Sequence, residues 1–254
     1  MTSLLRLLLI TLSVGALPLF AQDEATPAAA PPVEKIGETT YQLGEITFDS
    51  ATREIRIPSK VNIRDGGPLE YLLVHETGKV HESLFKTAAR PFNLQIVLKL
   101  LRYEAGMGDV LAPMLPADER EIALTKRAAR GEAVEVFVEW TPKTTGAITL
   151  DPVEGWIADG VNRAPVVAED EGAHWVYTGS YFSDSGGFLA EVEGSMIGIY
   201  LDRVSLFNTP LEGSDNDERW GANGEVTPDL ETPVTVVVRP RKMSQPEPTS
   251  AKEN

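Results

Sequence analysis

The chain has 254 residues, 42% of them hydrophobic, which supplies enough apolar side chain for a real core and excludes global disorder. Acidic residues outnumber basic ones 38 to 23, a net charge of −15 that repels phosphate backbones and argues against nucleic acid as a partner. There is no cysteine, so disulfides, thiolate nucleophiles, cysteine-ligated zinc and iron–sulfur clusters are excluded.

Residues 1–21 read as a secretory signal peptide. Arg6 supplies the positive start, Leu7 to Leu17 the short apolar stretch, and Ala21 a small residue before Gln22-Asp23. The apolar run is too short for a stable membrane span once the signal is cleaved. The expected location is the periplasm or the extracellular side of a bacterial envelope. Residues 22–40 are rich in Ala, Pro and Glu and read as a disordered linker, and 242–254 as a disordered tail. No linker-like stretch interrupts residues 41–241, which are expected to form a single domain.

In chain order, Ile46 and Phe48 alternate with polar neighbours, and Asp49 to Thr52 reads as a turn. Ile55, Ile57, Val61 and Ile63 put one face inward, while Pro58 predicts an edge strand or a bulge because it donates no ladder hydrogen bond. Leu69–Val74 is an apolar strand running into a turn at Glu76–Lys79. A helix begins at Pro91, apolar over most of its circumference, with Gly106 as its left-handed stop. Acidic residues early and basic residues late in 118–130 predict a second, surface helix. Val134, Val136, Val138 and Trp140 form the clearest alternating strand, followed by a Thr144-Thr145-Gly146 turn and a partner strand. Trp175 to Ser180 resumes a strand, and Glu193-Gly194 reads as a hairpin turn between Phe188–Val192 and Met196–Leu201. Val234, Val236 and Val238 close the sheet.

Strands dominate and no βαβ alternation appears. The expected class is α+β: mostly antiparallel sheet packed by one buried helix (about 91–105), with the surface helix at about 118–130.

Several segments then resemble the YdjY-type family of uncharacterised exported bacterial domains. They are Leu69-Glu70-Tyr71, Gly78 to Leu84, the Pro91 helix, Trp175 to Ser180, Glu193 to Ile197, Tyr200 with Asp202, and Thr232 to Thr235. Together they span residues 41 to 241. Asp202 is followed by Arg203 where the family pattern has proline, and the 118–130 helix is longer than the pattern. The resemblance implies fold class and location, not chemistry.

Lys79, His81, Glu82, Asp202 and Asn208 are the candidate ligand-binding residues, and His75 and His81 the candidate metal ligands. Whether the two histidines share a face depends on strand register: pairing His75 with Val80 separates them, and pairing it with Lys79 brings them together. Even then Lys79 stands between them and opposes a cation, and no HExxH spacing exists, so no metal is expected. Ser83 beside His81 and Glu82 lacks a nucleophile elbow and alternates faces with its neighbours, so no catalytic residue is assigned. The Glu212–Glu218 stretch lacks the twelve-residue calcium pattern and reads as a solvated loop. Trp156, Trp175, Tyr177, Tyr181 and Phe182 read as sheet core in preference to an aromatic platform. The functional expectation is a non-catalytic module that binds a small ligand or a protein, with no cofactor. The alternative is a metal-dependent enzyme or envelope redox accessory centred on His81 and Glu82.

Overall fold

The computed structural model describes residues 31–106, 110–117, 131–160 and 175–241. The expected signal peptide, surface helix and tail lie outside the described residues. The strands are β1 (Glu34–Lys35), β2 (Thr40–Leu43), β3 (Ile46–Asp49), β4 (Ile55–Val61), β5 (Tyr71–His75) and β6 (Ser83–Thr87). Helix α1 (Pro91–Leu100) follows, then β7 (Ala133–Trp140), β8 (Thr149–Pro152), β9 (Ile157–Asp159) and β10 (Trp175–Tyr177). The last elements are α2 (Leu189–Glu193), β11 (Ser195–Gly198), β12 (Phe207–Asn208), β13 (Trp220–Ala222) and β14 (Pro233–Pro240). Pairing thus begins at β1, ahead of the expected boundary at residue 41.

The strand order β4-β14-β7-β10-β12-β11-β5-β6 returns to β4, because Lys60 pairs with Lys86 and Val61 with Phe85. The result is a closed eight-stranded barrel, which overturns the expected sheet packed by one buried helix. Alternation along a strand reveals which side chains face inward, but the non-local pairing that makes a ring leaves no local signal. Inward positions follow the sequence pattern: Ile55, Ile57, Val61, Val134, Val138, Val236 and Val238 are fully buried.

Three local expectations are corrected as well. Pro58 lies neither on an edge nor in a bulge, since β4 pairs with β14 without interruption from Lys60↔Pro233 to Ile55↔Val238. Asn62 N–H donates toward β6 and Val61 N–H toward Thr232, so alternation turns the Pro58 nitrogen toward the β6 side. There β4 changes partner from β3 at Arg56 to β6 at Lys60, and no ladder donor is required. Second, β5 and β6 form no hairpin but pair in parallel, Tyr71 with Ser83 and His75 with Thr87, so neither register considered for His75 exists. The connection 76–82 runs back along the strand, and seven residues reach roughly 23 Å when extended, enough for the return. Third, Leu189–Glu193 is helix rather than hairpin strand, stopped by Gly194 in the left-handed conformation (φ 74°).

Helix α1 closes one rim of the barrel instead of lying across a sheet. Leu94, Val97 and Leu98 are buried, whereas Leu100 is 52% exposed, so the helix is one-sided. It carries no capping side chain of its own; Glu191 of α2 accepts the Phe92 N–H (2.9 Å) and the Arg90 Nε–H (2.6 Å). A carboxylate there complements the helix dipole. At the other end Arg102, not Gly106, takes the left-handed turn (φ 59°). Arg53, on the β3–β4 turn, donates to Leu101 C=O (2.9 Å) and grips Glu132 through two bonds (2.7 and 2.8 Å). Its guanidinium stacks on Tyr103, whose hydroxyl donates to Arg53 C=O (2.7 Å).

The opposite rim is plugged by the 3-10 turn Val153–Trp156. Trp156 packs against Phe85 and Trp140 at centroid distances of 5.5 and 5.4 Å. The same turn buries Glu154, whose carboxylate accepts the Trp175 indole N–H (3.2 Å). Burial pushes the Glu154 pKa up against the opposing pull of its hydrogen bonds. A carboxyl that holds its proton more tightly folded than unfolded makes stability fall as pH rises from the ordinary glutamate value through the raised one. Glu154→Gln keeps an acceptor for Trp175 and removes that loss. The urea midpoint of the variant relative to wild type is expected to climb between about pH 4 and pH 8. A pH-independent difference would show that Glu154 carries no such cost.

Candidate functional site

The sequence candidates divide into two groups. Lys79, Asp202 and Asn208 meet around Tyr71, the first residue of β5. The Tyr71 hydroxyl accepts from Lys79 Nζ (2.7 Å) and donates to Asp202 Oδ2 (3.0 Å). Lys79 also pairs with Glu193 (3.3 Å) and lies over the Tyr71 ring. Asn208 is fully buried at the end of β12: it accepts the Asp202 N–H (2.8 Å) and donates to Thr178 Oγ1 (2.8 Å) and Asp202 C=O (2.9 Å). The Asp202 carboxylate takes the Val204 N–H (2.8 Å), which pins the loop at Arg203 without a proline.

This arrangement is built to hold, not to react. Burial, reinforced by the Asp202 charge, pushes the Tyr71 phenol well above its ordinary pKa despite Lys79. Lys79 is held above its ordinary value too, since its bond to Tyr71 and the charges of Asp202 and Glu193 outweigh burial. Neither group is poised to lose its proton near neutral pH. Tyr71 was missed as a site residue because its place in an apolar run marks it only as core.

The second group does not assemble. His81 has a 76% exposed side chain and approaches Glu82 at 3.6 Å, while His75 Nδ1 lies 2.8 Å from Thr77 Oγ1. Among the described residues no group of three or more His, Asp or Glu is placed to hold a metal ion. In the Glu212–Glu218 loop the side chains serve the turn, with Asn216 Oδ1 accepting the Glu218 N–H (3.0 Å). Trp156, Trp175 and Tyr177 are core, but Tyr181 and Phe182 are 40% and 58% exposed.

A groove of about 680 Å³ contains none of these candidates. Its base is Glu139 and Trp140 at the end of β7, with Pro58 and Ser59 of β4 and Val234 and Thr235 of β14. The β7–β8 loop (Thr141 to Thr144, then Ile148) forms one wall, and Pro228, Asp229 and Thr232 the other. Trp140 is fixed from two sides: its indole N–H donates to Asp151 Oδ2 (2.8 Å), and it meets Trp156 edge-to-face. Lys143 pairs with Asp229 (2.9 Å), and its hydrogen bond lowers the aspartate pKa. Glu139 is committed to Arg56. Smaller grooves of about 390 and 290 Å³ lie beside Thr209–Asp215 and between Gly66–Pro68 and Trp220–Ala222. Trp140 reads as one more inward strand position, and the visible signal was the loop after it, Thr141-Pro142-Lys143-Thr144.

Comparison with family models gave no match, and comparisons with curated proteins and with solved structures gave none either. No helix among the described residues is long and apolar enough to cross a membrane.

The network around Tyr71 and Asn208 makes a testable demand. Asn208→Ala leaves the part-buried Asp202 N–H without its acceptor and removes the donor to Thr178 Oγ1 and Asp202 C=O, a loss of roughly 2–3 kcal/mol. Urea unfolding of the variant measures it, and a loss under about 0.5 kcal/mol would remove Asn208 from the framework.

Proposed function

We propose that this chain is an exported, non-catalytic binding module that takes its ligand in the groove beside Trp140. The observation that carries the reading is the groove itself, about 680 Å³ and built on a tryptophan fixed by Asp151 and Trp156. Concave sites with a largely apolar floor and a few fixed polar groups are where small ligands bind. The signal-like segment 1–21 supports export. Membership of the YdjY-type family is part of the same proposal and rests on the sequence motifs alone. The metal-dependent or redox alternative centred on His81 and Glu82 draws no support from a histidine standing mostly in solvent.

The test is two-dimensional NMR of the full chain with a panel of small uncharged ring compounds, phenol and benzamide among them. Shifts are expected to gather at the Trp140 indole N–H, Ile148 and Thr235, and to vanish in Trp140→Ala. Shifts gathered around Lys79 and Asp202, or none anywhere, would contradict the reading.

A further inference from the structure

We infer that the groove is a saccharide site, shaped for a neutral, pyranose-based oligosaccharide. The inference rests on the groove being a binding site at all. One sugar ring lies against the Trp140 indole, and neighbouring hydroxyls of the chain meet Lys143 and Asp229.

The charge arrangement selects a neutral ligand. Glu139 is paired with Arg56, and Lys143 with Asp229, so the charged residues lining the groove are balanced within the chain. A charged ligand must displace one of these partners, whereas a neutral one leaves both pairs in place. Lys143 and Asp229 also set a donor and an acceptor 2.9 Å apart. That matches a vicinal diol, in which each hydroxyl both donates and accepts. With the ion pair intact, the remaining N–H groups of Lys143 and lone pairs of Asp229, on side chains 85% and 72% exposed, are open to such a ligand.

The lining favours a sugar over a peptide. A peptide bound as an added strand needs a row of backbone donors and acceptors. Here Pro58, Pro142, Pro228 and Pro233 border the groove, and proline offers no N–H. What the groove does offer is hydroxyl groups on Thr141, Thr144 and Thr235 around a half-buried indole. A pyranose presents a complementary surface, with an apolar C–H face for the ring and hydroxyls around its edge. The indole is pre-oriented by Asp151 and Trp156, so little ordering is left for the ligand to impose. The volume, about 680 Å³, is ample for more than one ring.

The outermost described residues do not lie beside the groove. Arg241 N–H is bonded to Ala133 C=O (3.0 Å) at the start of β7, and Pro31 lies near Gly44 and Asn93, on the α1 side of the barrel. Trp140 is at the far end of β7.

Calorimetric titration of the full chain with cellotetraose, maltotetraose, xylotetraose and chitotetraose, with tryptophan emission recorded in parallel, tests the inference. At least one sugar is expected to bind, with an affinity unchanged between low and high salt, as befits a neutral ligand. Trp140→Ala should weaken that binding by about tenfold or more, with Trp140→Phe intermediate because a ring is retained. Asp229→Asn, which preserves shape, should weaken it by about threefold. If Trp140→Ala fails to fold, Trp140→Phe and Asp229→Asn carry the comparison, and unchanged affinity in both overturns the inference. Absence of binding by every sugar at about 10 mM also overturns it. If the uncharged ring compounds still shift the Trp140 resonance in that case, the groove reading survives. If they do not, both fall.

Discussion

The pairing of β4 with β6 is the constraint on which the rest of this structure depends. Two short contacts, Lys60 with Lys86 and Val61 with Phe85, turn an open sheet into a ring. A ring has no free edges to guard, but it has two open ends that must be covered. The two ends are covered by different chemistry. At one, α1 is held by ionic contacts donated from elsewhere, Glu191 at its N-terminus and Arg53 beyond its C-terminus. At the other, Trp156 fills the opening with aromatic surface shared with Phe85 and Trp140.

The groove is a by-product of that closure. Strand β7 is longer than its barrel neighbour requires: Ala133 and Val134 pair with β10, while Phe137 to Trp140 pair with β8. The surplus hairpin stands beside the start of β14 and makes the wall that the barrel itself lacks. Trp140 therefore belongs to both systems, packing against the plug and lining the groove. The groove is thereby joined to the plug through Trp140, and the network around Tyr71 and Asn208 shares no residue with its lining.

Much of the strand content was legible because alternation is a local signal. Val134, Val136 and Val138, like Ile55 and Ile57, announced their inward face. Closure was not legible, since nothing in Val61 or Phe85 reports the other. The same holds for the β5–β6 pair, where a glycine-containing turn reads equally as a hairpin or as the start of a return path. Helix α1 was found by its proline and apolar content, yet its role was misjudged: it needs only one buried face to cover a rim. The candidate site was half legible. Lys79, Asp202 and Asn208 do converge, but around Tyr71, hidden as core; the histidines, conspicuous by their chemistry, stand apart from them. The groove combines three separated stretches (58–59, 139–148 and 228–235), none of which carries a motif.

Amide hydrogen exchange across the closing seam tests the central claim most directly. Asn62 N–H lies 2.8 Å from Leu84 C=O on the β6 side of β4. A closed barrel predicts that Asn62 and Lys60 exchange as slowly as Val236 and Val238 in the β14 ladders, through opening of the whole fold. Exchange at those two amides orders of magnitude faster than in β14 would mean that β4 ends at a free edge, and the barrel would be an open sheet.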